Sequence, residues 1–576
     1  MRVTALLAAA LAASLAGRAA GLEPLRNLVV ILGDDIGVGD FGAFGSPNTQ
    51  TPAINRLAEM GAKLTQFHTQ PLCSPSRASM LTARLPIRSG VYTNESFPLD
   101  EIFRVFMPVS VGCLPNSEVT IPKWLRNASH AYSALVGKYH CGSNVKGGCT
   151  PTQAGGFDYY FGLLNSHEEG FPGPFPESIV FPPMSLHENV RIVEQPTDLL
   201  TLTPRYTQRA LQIIETVATG NATTPNPAGL GPLSPAPLRG QPFTLFVHYE
   251  ESHVPLFAAP GYQNTSTRGA YGDMTAQMDG SVAIIMEALE RHGLLNSTMV
   301  LLSSDNGAWI DPSSGLPGAR GTAQDGGSNG PLRGGKGSTW QGGMVNPAIV
   351  VSPGRVPAGQ VVSTPTTIMD VMPTFAEAAG LRLPGGVTLD GRSFWAHVNG
   401  TYLESPLSMN DVATQARQRL GLGPAELGQP QVPPPIPQVH EAIYFWRADK
   451  LYAIRQGDYK AHFFTRPGFG LEPATPHDPP LLFDLRWDYG ESRPLNTTLE
   501  PYATVLANLE ATAANHRATV TRGVSQYEDV SFDVVPCCGK PFNETEALMF
   551  LERGMPGLAL WDACVCNPEN AFRPGA

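Results

Sequence analysis

The residues with chemistry in them begin at Cys73-Ser74-Pro75-Ser76-Arg77, which runs into the helix-forming stretch ASMLTAR at 78–84. A cysteine just ahead of a proline and such a stretch falls at a helix N-terminus, where unpaired backbone N–H groups and the helix dipole favour a bound anion. That is a nucleophile position facing an anion site; the bland alternative is half of a disulfide. Arg77 has a fork that can hold an anion there, or make a surface ion pair. Gly33-Asp34-Asp35 places two carboxylates together, whose repulsion a cation relieves, unless they form a solvated turn. Ser304-Asp305-Asn306-Gly307 adds more oxygen donors, and an all-oxygen set suits a hard cation such as Ca²⁺ or Mg²⁺ rather than zinc. Lys138 and His140, two apart on an extended segment, would share a face and put a fixed charge beside a titratable ring. His253 precedes Val254-Pro255, and Lys336 stands among glycines that let it approach a small anion. The glycine spacing around Lys336 fails the P-loop pattern, so the nucleotide reading is poor.

These clusters need elements to bring them together. Residues 27–32 (NLVVIL), 243–247 and 298–303 (TMVLLS) are continuous apolar runs, which predicts strands buried on both faces. The first and last stop directly at an acidic cluster, and the middle one leads toward His253. Ligands of open α/β sheets gather beyond the carboxyl ends of the strands, so the sheet would set Asp34, Asp35, Asp305 and Asn306 side by side. A short strand at 134–136 leads to Lys138. Helices are expected over 51–63, 206–217, 274–290 and 366–379. Residues 185–204 read as irregular, and the Pro/Gly-rich 221–242 as a surface loop. Segments 442–446, 451–455, 459–464 and 480–485 predict a small antiparallel sheet, with Lys460 and His462 half-exposed on it. His248 is expected to be a core histidine.

Cys73-x-Pro75-Ser76-Arg77 with Leu81-Thr82 resembles the signature of the type I sulfatases, and Gly137-Lys138-x-His140 resembles their second signature. His253-x-Pro255, the Lys336-Gly337 segment with WQGGMVNP at 340–347, and the turn at 484–491 continue the likeness. Ser166 matches loosely a family serine that touches the active site. Gln341 and Val345 depart from the Glu and Arg that members usually carry. The resemblance implies an α/β fold: an alkaline-phosphatase-like large domain with a mostly parallel mixed sheet flanked by helices, plus a smaller C-terminal α+β domain with an antiparallel sheet. It also implies that a formylglycine-generating enzyme converts Cys73 to formylglycine, whose hydrate is the nucleophile. One Ca²⁺ per chain would rest on Asp34, Asp35, Asp305 and Asn306, with Cys73 as a further metal ligand. Arg77, Lys138 and Lys336 would hold the growing negative charge. His253 with Lys336 would protonate the leaving alcohol, and His140 would orient the nucleophile. Ser166, Lys138, His253 and Lys336 would contact substrate, a sulfated small molecule, glycan or glycolipid. The alternatives are a phosphomonoesterase or phosphodiesterase on the same fold, and a glycan-binding glycoprotein without catalysis.

A chain of 576 residues, 42% hydrophobic and 15% charged, is large enough for one big domain and a smaller one. The expected limits are 21–395 and 396–535, with a Pro-rich linker at 429–439 and a Cys-rich tail at 536–576. The net charge of −11 argues against nucleic acid or an anionic membrane, so an anionic substrate needs a local basic pocket. Residues 1–20 read as a secretory signal and nothing later as a transmembrane segment. Sequons at Asn94, Asn127, Asn221, Asn264, Asn296, Asn399, Asn496 and Asn543 agree with a secretory-pathway protein, extracellular, in a cell wall or lysosomal. Homo-oligomers are compatible. Of eight cysteines, seven remain once Cys73 is converted, so one thiol stays free or pairs between chains.

Overall fold

β1 (Asn27–Gly33) is buried at every position. Its alternate side chains enter different cores: Leu28, Val30 and Leu32 join one apolar cluster, Val29 and Ile31 another. A strand covered on both faces needs no polar alternation, which is why NLVVIL is continuous. The computed structural model describes residues 23–97, 104–170, 183–223, 225–310, 325–402, 436–468, 473–539, 564 and 566. The expected signal at 1–20, Asn543 and most of the 429–439 linker lie outside them.

After β1 come α1 (Pro52–Met60), β2 (Ala62–His68), α2 (Cys73–Thr82), α3 (Ile121–Ser129), β3 (Tyr132–Gly137), β4 (Tyr159–Leu163), β5 (Leu186–Glu188) and β6 (Arg191–Glu194). Then follow α4 (Leu202–Thr219), β7 (Phe243–His248), α5 (Gly269–Arg291), β8 (Thr298–Ser304), β9 (Val345–Val351), β10 (Gln360–Val362), β11 (Thr366–Thr367) and α6 (Val371–Ala379). The eleven strands form one sheet in the order β10-β2-β9-β8-β1-β7-β3-β4-β5-β6, with β11 on β2. Its centre, β8 to β4, is parallel, while β9 runs against both neighbours. One face is covered by α2, α3 and α6, the other by α1, α4 and α5. A second sheet of β12 (Ile443–Arg447), β13 (Lys450–Gln456), β14 (Tyr459–Thr465) and β15 (Thr475–Asp484) is antiparallel and packs on α7 (Tyr502–Thr519). Leu85, Ile87 and Tyr92, just beyond α2, share that cluster, so an apolar seam joins the two sheets.

Register aligns the carboxyl ends of the central strands. Gly33 lies opposite Ser304, Leu32 opposite His248, and His248 opposite Gly137. Gly137 adopts φ 105°, and a Cβ there would meet the His248 carbonyl oxygen at 1.7 Å, so only glycine fits. The residues after these strands therefore leave the sheet at one end, where α2 begins.

Several expectations need correction. Residues 185–204 contain β5 and the edge strand β6, both too short to show a period. Thr366 and Thr367 pair with β2, and the helix starts only at Val371 after a 3-10 turn. β9 was not foreseen because Pro347 argues against an inner strand. α7 was missed because its buried stripe is only Leu506, Leu509, Ala513 and His516. The cysteines pair as Cys113–Cys149, Cys537–Cys564 and Cys538–Cys566, leaving Cys141 as the odd thiol beside Cys73, both buried. Sequon residues Asn127, Asn221, Asn264, Asn296 and Asn496 are exposed, and Asn94 and Asn399 half-buried. Among the described residues, no helix is long and apolar enough to cross a membrane.

Leu302 of β8 is fully buried in the second core cluster. Leu302→Ala is expected to cost about 2–5 kcal/mol, read from urea unfolding of the two proteins.

Candidate active site

All ten residues of α2 are buried, and its N-cap, Leu72, supplies no side-chain hydrogen bond. The first-turn N–H groups at Cys73 thus depend on whatever the site holds. Cys73 Sγ lies 3.5 Å from Asp34 Oδ1. Lys138 Nζ donates to Asp34 Oδ2 and, at 3.2 Å, to Ser166 Oγ. Arg77 donates from Nε to Asp305 Oδ2 at 2.9 Å and from Nη1 to the Lys138 carbonyl at 2.9 Å. Its Nη2 is 3.5 Å from Asp34 Oδ2. Lys336 Nζ donates to Asp35 Oδ2 at 2.8 Å and stands 2.8 Å from His253 Nε2. Asn306 Nδ2 donates to Asp35 Oδ1 at 2.7 Å, which leaves Asn306 Oδ1 buried without a partner.

Strand ends from β1, β3 and β8, the start of α2 and two loops thus deliver these side chains to one buried place. Lys138 and His140 do not project from an extended segment as expected. β3 ends at Gly137, and His140 itself has φ 55°, so the chain turns between them. His140 Nε2 lies 3.0 Å from the Phe106 carbonyl instead. His248 is the expected core histidine, with Nδ1 3.1 Å from the Lys138 carbonyl. The sequence reading missed His167, Glu168 and Trp309, which surround His253. The rings of His167 and Trp309 lie 5.4 and 6.2 Å from that of His253, and Glu168 Oε2 is 3.9 Å from its Nδ1. For Trp309 the available signal was its place four residues after Asp305, just past a strand end.

Burial and charge set the protonation states. Burial pushes the Cys73 thiol well above its ordinary 9.0, with Asp305 and Asp34 adding to the shift and Lys336 opposing it. Burial opposes ionisation of Asp34, but Lys138, His253 and Arg77 outweigh it and hold the carboxyl well below its ordinary range. Burial and then Lys336 bring His253 down to about 4. Its Nδ1 is 2.6 Å from the Val254 carbonyl, so Nδ1 carries the hydrogen and Nε2 accepts from Lys336. Burial, then Lys138 and Arg77, keep His140 neutral.

Asp34, Asp35, Cys73 and His253 have ligand atoms close enough to hold one metal ion. Asp305 and Asn306 adjoin them through Asp35. The donors fit a hard cation: they are mostly oxygens, and Asn306 Oδ1 is a buried acceptor with nothing bonded to it.

The second sheet braces the Lys336 loop. Arg447 Nε donates to the Gly337 carbonyl at 3.0 Å, and Lys460 Nζ to the Thr339 carbonyl at 2.7 Å. Glu491 accepts from the Gln341 backbone N–H at 2.6 Å and pairs with Lys460 at 3.0 Å; its Oε1 also lies 2.6 Å from His462 Nε2. Lys460 and His462 are fully buried, not half-exposed as expected, because Glu491 comes with the 484–491 turn to meet them.

Fold and site together define an α/β hydrolase of anionic esters with an alkaline-phosphatase-like sheet. Residues 26–381 match the sulfatase family model, and residues 438–546 match the C-terminal region of aryl-sulfatase. The chain is 32% identical to arylsulfatase A of Bos taurus, covering 91% of this chain and 94% of the relative. To N-acetylgalactosamine-6-sulfatase of Canis lupus familiaris it is 32% identical, covering 88% and 89%. The PsFucS1 sulfatase structure from Pseudoalteromonas sp. superposes with TM-score 0.67 at 22% identity, over 90% of this chain and 95% of that one. The chain belongs to the sulfatase family. It is a sulfuric ester hydrolase by class.

Glu491→Ala would leave Lys460 charged and buried without its counter-ion, an expected loss of about 3–5 kcal/mol. Burial alone would raise the Glu491 carboxyl, yet Lys460 and His462 hold it at about 2, below its ordinary 4.5. A carboxyl depressed on folding stabilises fully above its unfolded pKa. That share of wild-type stability is lost as pH falls from about 4.5 towards 2, and pH-resolved thermal unfolding of Glu491→Ala should lack it.

Proposed function

We propose that the chain hydrolyses sulfate monoesters at position 73 in its formylglycine form, with one Ca²⁺ on Asp34, Asp35, Asp305 and Asn306. The observation that carries this is Cys73 itself. It is buried at the open start of α2, among Lys138, Lys336 and Arg77, yet as a thiol it is held protonated by burial. An unmodified cysteine there would be a poor nucleophile, because the thiolate is the reactive form. The hydrated aldehyde would supply the attacking oxygen without a thiolate, and the metal would supply positive charge against the sulfate oxygens.

The protein's own groups account for the remainder. Lys138 and Lys336 flank Cys73 and would hold sulfate oxygens as charge builds on them. Arg77 is tied to Asp305 and the Lys138 carbonyl, so it fixes the carboxylate end of the sheet against α2. His253 is neutral and accepts from Lys336, so the proton destined for the leaving alcohol resides on Lys336 Nζ, with His253 aligning it. His140 is kept neutral and serves as a base near the nucleophile. Ser166 orients Lys138 through its hydroxyl. We assign 21–395 to the catalytic domain, 396–535 to the smaller domain and 536–576 to the Cys-rich tail, and place the glycoprotein in the secretory pathway, matured by a formylglycine-generating enzyme. The names of its relatives favour aryl or glycan sulfates as substrates.

Inorganic sulfate release from p-nitrophenyl sulfate, run beside phosphate release from p-nitrophenyl phosphate, tests the reading. The sulfate ester should be turned over much faster, and Lys336→Met should lower its kcat by about 10²–10³. Faster release of phosphate would restore the phosphatase reading, and full activity in Cys73→Ala would remove position 73 from the reaction.

A further inference from the structure

Phe106 ties the active-site base to a distant part of the chain. It belongs to none of the described helices or strands, yet its backbone is bonded on both sides. Its N–H donates to the hydroxyl of Ser74, the neighbour of Cys73, at 3.1 Å. Its carbonyl lies 3.0 Å from His140 Nε2 and accepts from Asn165 Nδ2 at 3.3 Å. Burial, with Lys138 and Arg77 beside it, keeps the His140 ring neutral. A carbonyl oxygen only accepts, so Nε2 carries the hydrogen and Nδ1 is the basic nitrogen. The His140 backbone is fixed separately: its φ is 55°, and its N–H donates to the Leu164 carbonyl at 2.9 Å. The tautomer of the ring is thus set by the Phe106 carbonyl.

Phe106 is itself seated from the far end of the sequence. Residues 521–531, which follow α7, run as a strap along residues 87–90 and 109–111. Gly523 donates to the Ile87 carbonyl at 2.8 Å and Gln526 to that of Gly90 at 3.0 Å. Val111 donates to Asp529 at 2.9 Å, and Ser531 to Val109 at 2.8 Å, again between backbones. The approach is so close that a Cβ on Gly112 would meet the Gln526 carbonyl oxygen at 2.3 Å. Tyr527, in the middle of the strap, is fully buried, and its ring meets that of Phe106 edge to face at 4.4 Å and 76°. Aromatic rings favour that arrangement beyond the area they bury. Both join the apolar cluster that covers the sheet on the α2 side.

We propose that Tyr527 is a positioning residue for the reaction: its ring seats Phe106, and the Phe106 carbonyl then holds His140 with the hydrogen on Nε2, leaving Nδ1 as the base. This rests on the sulfatase reading above, in which His140 serves as a base near the nucleophile, and it adds a residue that none of the signature motifs contains. The chain beyond the second sheet thereby enters the catalytic step without touching substrate. A displacement of about 1 Å in a catalytic group can cost about 10²-fold in rate, so a loosened Phe106 should be felt. Ser74 acts on the same residue from the other side, through the Phe106 N–H.

The test uses full-length enzyme and two readouts. Turnover of p-nitrophenyl sulfate is measured per molecule carrying formylglycine, counted from the mass of peptide 64–77. Nitrogen NMR of histidine-labelled protein reads the tautomer of His140, whose signals are those lost in His140→Gln. Wild type should show hydrogen on Nε2. Tyr527→Leu should lower kcat about 10- to 100-fold with KM within about twofold, and should lose the single tautomer. Tyr527→Phe, which keeps the ring, should retain both. Tyr527 is deeply buried, so Ser74→Ala gives a second route: it should lower kcat in the same way and disturb the same signals. Unchanged kcat and tautomer in Tyr527→Leu, or in Ser74→Ala where Tyr527→Leu does not fold, would overturn the proposal. Equal losses in kcat and in binding, with the His140 signals intact, would reduce Tyr527 to a structural residue and overturn it as well. A wild-type enzyme that releases no sulfate would sink the sulfatase reading, while the nitrogen signals would still decide whether Tyr527 sets the tautomer of His140.

Discussion

The buried carboxylate of Asp34 is the constraint on which the site depends. It sits at the end of a strand with no solvent around it, and Lys138, Arg77 and the Cys73 thiol all converge on it. A buried charge of this kind persists only if paired, so the elements carrying those partners must meet β1 at that spot. Parallel register with β8 and β7, and of β7 with β3, provides that meeting. The same geometry explains why the thiol stays protonated while the lysines stay charged. A sheet built for apolar packing thus ends in a cluster of acids and bases that hold one another in place.

The second sheet contributes to this site through one loop. Lys336 has no regular element beneath it, and the loop's shape comes from Arg447, Lys460 and Glu491, residues far along the chain. Trp340 is held between Arg333, 3.9 Å from its ring, and the tilted His462 ring at 4.3 Å. The Lys336 loop is therefore positioned by buried charge pairs on another sheet. Gln341 stands where family members usually carry Glu; here its backbone N–H donates to Glu491 and its side-chain oxygen accepts from Lys460.

Much of this was legible in the sequence because the central strands are continuous apolar runs that stop at chemically distinctive residues. β1, β7 and β8 announce themselves in that way, and Cys73 ahead of Pro75 announces the start of α2. What stayed hidden depends on partners distant in the chain. Lys460 and His462 look like surface residues of a small sheet until Glu491 arrives to bury them. β9 carries a proline, and α7 has a stripe too narrow to stand out. The turn that takes His140 off the face of Lys138 lies in the positive φ of His140 itself, just after a glycine, Gly137, that the His248 carbonyl on the neighbouring strand demands, and no local pattern reveals it.

The central claim is that position 73 works as an aldehyde rather than a thiol. Mass spectrometry of the tryptic peptide 64–77, taken from active protein made in its natural host, tests it most directly. The account predicts a peptide lighter than the encoded one by the difference between a CH₂SH and a CHO group. A peptide that carries an unmodified or disulfide-bonded Cys73 in fully active protein would contradict it.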